Sequence, residues 1–162
     1  MLSKVQKGDF LEYICQKHYE SEGYECFKSQ RKGIWTGRRY ISMDIDIFDC
    51  DILGIHPSEK MLFVQVTTGA SHASERRIKL SKKPWNLAHH DVLVWSKRDG
   101  YILIEQYDGE KWQKQGKIII DVPGMCDYVR GYRALKSTSY VALCAFMGLD
   151  KKKLMGWQHL GQ

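Results

Sequence analysis

Apolar and polar positions along the chain fall into segments of two different periods. Between residues 4 and 19, Phe10, Leu11, Ile14, Cys15 and His18 recur at helical spacing on one stripe, predicting an amphipathic helix that Gly23 ends. Tyr24 to Phe27 can begin a strand, and residues 28–39, polar, basic and glycine-containing, read as a loop. Ile41, Met43, Ile45 and Ile47 then alternate with Ser42, Asp44, Asp46 and Phe48, the period of two that marks a half-buried strand.

Two apolar runs of strand length follow, Ile52 to Ile55 and Met61 to Val66, separated by the turn-forming His56-Pro57-Ser58-Glu59-Lys60. If those residues are the loop, antiparallel pairing sets Ile55 opposite Met61, Leu53 opposite Phe63 and Asp51 opposite Gln65, with Asp49 roughly opposite Thr67. Side chains alternate along a strand, so Asp51, Gln65 and Thr67 would share a face. A loop one residue shorter would send Asp51 and Gln65 to opposite faces.

Beyond Thr68-Gly69, the run SHASERRIKLSKK reads as a second helix, capped by Ser71 or Ser74 and stopped by Pro84. Asp91 to Trp95 suits a buried strand, Asp99-Gly100 a hairpin turn, and Tyr101 to Tyr107 the returning strand. Asp108-Gly109 marks another turn, and Lys117 to Val122 reads as one more strand. From Ser137 to Leu160 the pattern is helical, in two pieces divided near Gly148. The order is helix, three strands, helix, strand, then an appended hairpin and C-terminal helices. It implies an α/β sheet with helices on its faces.

Composition narrows the class. A chain of 162 residues that is 43% hydrophobic is expected to form one domain (1–162) with a real core, and no linker or repeat divides it. No apolar run approaches the ~20 residues of a membrane span, so no membrane role is expected. The N-terminal stretch has no signal-peptide character, and the five cysteines are odd in number without CxxC spacing. A reducing, cytoplasmic setting is the expectation.

Charge adds a partner class. The formal net charge is +6, and its placement is uneven. Lys28, Arg31, Lys32, Arg38 and Arg39 precede the acidic strand, while Arg76, Arg77, Lys79, Lys82 and Lys83 follow the hairpin. Cations on both sides of an acidic cluster suit a phosphate-handling site, with carboxylates for a metal and basic groups for the backbone. Arg38, Arg39, Arg76, Arg77, Lys82 and Lys83 are the candidate nucleic-acid contacts.

Opposed strand residues have Cβ atoms about 5 Å apart, close enough for Asp51 and Gln65 to share one hard divalent cation. Asp49 could add a second-layer or second-metal oxygen, whereas Asp44 and Asp46 fall on an exposed strand face. Thr67 suits a strand and a local hydrogen bond. Adjacent histidines point apart on a strand, which disfavours a metal role for His89-His90-Asp91. Trp35, Trp85 and Trp95 suit a core better than base stacking.

Three segments resemble the restriction-endonuclease-like, or PD-(D/E)XK, nuclease superfamily over roughly residues 7–96. Lys7-Gly8-Asp9-Phe10-Leu11-Glu12 resembles the first helix of Holliday-junction-resolvase-like members, with Glu12 in the glutamate position. Cys50-Asp51-Ile52-Leu53-Gly54-Ile55 takes the place of the aspartate strand, and Phe63-Val64-Gln65-Val66-Thr67 that of the strand carrying an acid and a lysine. Gln65 stands for the acid and Thr67 for the lysine. Some relatives carry the lysine on the following helix, where Lys79 is the candidate, on one face with His72 and Arg76.

The resemblance implies a core of helix, three-stranded antiparallel meander, helix and strand, with residues 97–162 as accessory elements. It implies a Mg²⁺- (or Mn²⁺-) dependent endonuclease acting on double-stranded or branched DNA, possible as a homodimer, since cutting two strands takes two sites. Asp51, Gln65 and Glu12 would hold the metal, with Lys79 or Arg76 on the phosphate. The alternative is a degenerate member that binds nucleic acid or a protein without cutting, which the Gln-x-Thr pair favours.

Overall fold

Ser3 caps the first helix through a reciprocal box with Gln6, its hydroxyl accepting from the Gln6 amide at 3.1 Å and the Gln6 side chain accepting from the Ser3 amide at 2.9 Å. This helix, α1, spans Lys4–Ser21 in the computed structural model, which describes residues 1–149 and, at 31, 32 and 42–45, the backbone alone. Its stripe of Phe10, Leu11, Ile14 and Cys15 is buried as expected, and half-buried His18 packs edge-on to Trp95.

Eight strands follow among the described residues. β1 (Glu25–Lys28), β4 (Ile52–Ile55), β5 (Met61–Thr67), β6 (His90–Lys97), β7 (Tyr101–Tyr107) and β8 (Trp112–Ile119) form one six-stranded sheet in the order β1-β4-β5-β6-β7-β8. All neighbours are antiparallel except β5 and β6, which run parallel and are joined by α2 (Ala70–Ser81). Parallel neighbours need such a crossover, whereas the antiparallel pairs need only turns. Alternation in β5 and β6 sorts the core between the two faces. Leu62, Val64, Leu93 and Trp95 join α1 and the C-terminal helices on one side; Phe63, Val92 and Val94 meet Ala73 and Leu80 of α2 on the other. Buried Trp95 keeps its indole N–H satisfied by the Tyr19 hydroxyl at 3.0 Å.

Several expectations are corrected. Residues 28–39 are not a loop: β2 (Gln30–Trp35) pairs with β3 (Tyr40–Ile45) in a separate two-stranded ribbon. The strand foreseen at 41–47 therefore lies outside the main sheet, and β1 takes the place beside β4, with Lys28 opposite Ile52 and Glu25 opposite Ile55. The hairpin after residue 97 is not appended; β7 and β8 continue the same sheet. β8 begins at Trp112, not Lys117, and Val122 opens a further helix, α3 (Val122–Leu135).

α3 was hidden by residues that usually break helices. Asp121 caps it, accepting from the Gly124 amide at 2.7 Å, and Pro123 sits in the first turn, where its missing N–H costs nothing. Gly131 stands where α3 crosses α1; a Cβ there would collide with the Tyr13 hydroxyl. α4 (Tyr140–Phe146) follows with Ser139 as its cap. Gly69, not Ser71 or Ser74, is the N-cap residue of α2. The helical piece foreseen beyond Asp150 lies outside the described residues. No helix among the described residues is long and apolar enough to cross a membrane.

Candidate active site

The hairpin from β4 to β5 has the register that places Asp51 against Gln65. Ile52 pairs with Val64, Leu53 with Phe63 and Gly54 with Leu62, and the Asp51 amide donates to the Val64 carbonyl at 2.9 Å, one step further on. The Gln65 amide nitrogen then donates to Asp51 Oδ2 at 2.7 Å, and the Val66 backbone N–H donates to the same oxygen at 2.8 Å. Both side chains are buried, at 9% and 3% exposure. Burial pushes the Asp51 carboxyl up to about 7 and the nearby Glu12 carboxylate adds to this, against the opposing pull of the Val66 N–H and Arg76. Gln65 Oε1 is buried and has no hydrogen-bond partner. A buried carbonyl left so costs about 1–3 kcal/mol.

α1 brings an acidic pair, Asp9 and Glu12, to the same opening, and Lys28 arrives from the end of β1 between them. Its ammonium bonds Asp9 and lies 3.2 Å from Glu12 Oε2, while the Tyr132 hydroxyl of α3 donates to Asp9 Oδ2 at 2.8 Å. Burial raises Glu12 above the usual carboxylate range, Lys28 only partly opposing it; Asp9 and Asp46 push the same way as burial. For Asp9, burial acts upward but the bonds from Lys28 and Tyr132 win, and it sits below its ordinary value. Lys28 is raised in turn, its two carboxylates outweighing its own burial.

These groups line a cleft of about 920 Å³ that gathers Asp9, Glu12, Lys28, Asp46, Asp51, Gln65 and Arg76. Asp51 Oδ2 is met by two N–H groups, but the cleft's carboxylates and the orphaned Gln65 Oε1 are oxygen ligands, the kind a hard cation prefers. Among the described residues no cluster of three or more His, Cys, Asp or Glu side chains stands assembled as a metal site.

Other expected site residues lie elsewhere. Asp49 does not face Thr67: it sits in a turn with Phe48, both at positive φ (61° and 52°), where it bonds Lys79 at 3.0 Å and Lys83 at 2.6 Å. Those two ammonium groups hold its carboxyl below the usual range. Lys79 is thus turned away from the cleft, toward Asp49. Arg77 is paired with Glu105 at 2.7 Å, and Lys82 is exposed. Of the basic helix, Arg76 lines the cleft. Arg38 and Arg39 are exposed at the tip of the β2–β3 ribbon. Thr67 is buried, its hydroxyl 3.5 Å from the Gly69 amide. His90 packs on Phe63 and Trp85, and Trp85 and Trp95 belong to the two cores.

Among the cleft residues, Asp9 and Tyr132 had no role in the sequence analysis, Lys28 stood there only in the basic run, and Asp46 only on an exposed strand face. Asp9 lay within the Lys-Gly-Asp stretch before Glu12, and Lys28 closed a four-residue strand; each signal was present but local. Tyr132 reaches Asp9 across 123 positions, a pairing no local pattern carries. Neither a protein-family model, nor a curated protein, nor a solved structure matches the chain.

Proposed function

We propose that the cleft hydrolyses phosphodiester bonds of DNA as a Mg²⁺- (or Mn²⁺-) dependent endonuclease with a restriction-endonuclease-like core. The observation that carries this reading is the buried Asp51–Gln65 pair, a carboxyl pushed up to about 7 next to an amide oxygen with no partner. Turning the Gln65 amide end for end would bring Oε1 to Asp51, an arrangement unfavourable for two oxygens unless a cation lies with them. Asp51 and Gln65 would hold the metal, and Glu12 would complete or orient its water shell. Bound there, Mg²⁺ supplies an activated water and a sink for phosphate charge.

The chain's own groups account for the rest. Lys28 takes the part of the lysine missing at position 67, an ammonium held beside Glu12 at 3.2 Å and able to face a phosphate oxygen. Arg76 offers a second cation across the cleft. Asp9 and Tyr132 position Lys28. Cutting both strands of a duplex calls for two such clefts, and a homodimer belongs to this reading.

A second reading has its own support: the Gln65 amide already satisfies Asp51 through its N–H, and among the described residues no triad of acids stands assembled. A degenerate protein that binds without cutting would look like this. Incubation of supercoiled, linear and branched DNA with Mg²⁺ or Mn²⁺ decides between them. Cutting by the wild type that Asp51→Ala abolishes is expected; no cutting on any of the three substrates sinks the nuclease reading. Retention of DNA with steep salt dependence would then favour the second.

A further inference from the structure

The β2–β3 ribbon is an arm set apart from the main sheet, and its residues from Gly33 to Ile41 are exposed. Six residue pairs, from Gln30–Ile45 to Trp35–Tyr40, join the two strands, and neither strand bonds the main sheet. Ile34, Trp35, Tyr40 and Ile41 belong to neither core cluster. Trp35 and Tyr40 are 58% and 75% exposed, with ring centroids 5.2 Å apart. Two-stranded ribbons are marginal in water alone, so uncovered apolar side chains on one point to a ligand that covers them.

The ligand's charge can be read from the arm. Residues 30–45 carry Arg31, Lys32, Arg38 and Arg39 against Asp44 alone, a formal +3. Arg38 and Arg39 form the tip, in a turn closed by the Thr36 amide donating to the Arg39 carbonyl at 3.1 Å, with Gly37 at φ 88°. Both arginines are exposed and have no ion-pair partner among the described residues.

Dimensions and placement choose among polyanions. Six residues per strand give an arm about 20 Å long, with strands about 4.8 Å apart. A two-stranded ribbon of that width fits the ~12 Å major groove of a DNA duplex. The base of the arm belongs to the cleft: Ser29, Gln30 and Asp46 line it, and the Ser29 amide donates to the Asp51 carbonyl at 2.7 Å. A duplex seated on the arm would lie beside Asp51.

We propose that the β2–β3 ribbon is a groove-binding arm for double-stranded DNA, with Arg38 and Arg39 on phosphates and Trp35 and Tyr40 against the groove. Its purpose, delivering a duplex to the cleft, rests on the phosphodiesterase reading; its binding does not. The arm recognises a continuous duplex, and a single strand of equal length is the poorer ligand because it offers no groove.

The test is fluorescence anisotropy of a labelled 30-base-pair duplex, and of its single strand, with the full chain in EDTA. The same proteins are assayed for cutting with Mg²⁺. At 0.1 M salt the Arg38→Ala/Arg39→Ala double variant should bind the duplex roughly tenfold or more weakly, and the slope of log K against log salt should fall by about 1.8. Trp35→Ala/Tyr40→Ala should weaken binding at an unchanged salt slope. Thermal melting should leave both variants as stable as the wild type, since neither pair belongs to a core. Equal affinity of wild type and arginine variant, or tighter binding of the single strand, overturns the arm. Ribbon-dependent binding without any cutting upholds the arm and removes the nuclease reading. Cutting that survives loss of the arginines undiminished removes delivery to the cleft from the arm, while its binding stands or falls by the anisotropy.

Discussion

Asp51→Asn should make the metal-free protein more stable at neutral pH, although it removes the central acid of the site. The folded protein holds the Asp51 proton until about pH 7, whereas the unfolded chain releases it near the ordinary 3.8. Between those values the folded state binds more protons, so stability falls as pH rises and levels off above about 7. A carboxyl moved by about three pH units carries roughly 4 kcal/mol, an upper figure because Glu12 titrates with it. Asparagine keeps an oxygen for the Val66 N–H and has no charge to bury. Thermal melts at pH 4, 6 and 8 in EDTA should therefore separate the two proteins with rising pH. At pH 8 the variant should melt about 8–16 °C higher, from roughly 2–4 °C per kcal/mol for a chain of this size. Millimolar Mg²⁺ should raise the wild type and leave the variant unmoved. Parallel curves from pH 4 to 8, or a variant less stable at pH 8, would refute the claim that Asp51 is a buried, uncompensated acid.

Lys28→Met should lower metal-dependent cutting by 100-fold or more and destabilise the fold by about 1–3 kcal/mol, since Asp9 and Glu12 lose their cation; urea unfolding and initial rates measure both. Asp49→Asn should cost under about 1 kcal/mol and leave the cutting rate within twofold, because its pairs with Lys79 and Lys83 are partly exposed and away from the cleft. Gln65→Glu should destabilise the metal-free protein at pH 8 by setting two carboxylates together, and should tighten Mn²⁺ binding in calorimetry. Weaker Mn²⁺ binding would remove Gln65 from the metal shell.

What could be read from the sequence was what local rules determine. The turn His56–Lys60 and the apolar runs beside it were enough to bring Asp51 against Gln65, because slipping the register would have turned Ile52 and Val64 out of the core. α1 was legible from its stripe. Of the β2–β3 ribbon, β3 was legible from the alternation at 41–47, but β2 was not, since the arginine, lysine and glycines around Trp35 signal a loop. α3 was lost to Pro123, Gly124 and Gly131, whose roles at a helix start and a close crossing appear only once α1 is in place. The lysine of the site was sought on α2, where spacing offered Lys79. Asp49 in its left-handed turn draws Lys79 away, and the cleft is lined instead by Lys28, from a strand whose neighbour is set by the fold.

The placement of β6 bears on how the molecule could be cut down or grafted. The stretch resembling a nuclease core ends near residue 96, yet β6 has β5 on one side and β7 on the other. A fragment stopping there would leave β6 with a bare row of amides and carbonyls, and would strip Ile102, Ile104, Met125 and Val129 from the packing around α1. Tyr132, which holds Asp9, would go with them. Such a fragment is expected to aggregate through its open edge. Minimisation should start instead at the Thr36–Arg39 turn, where loss of the ribbon tip opens no strand of the main sheet.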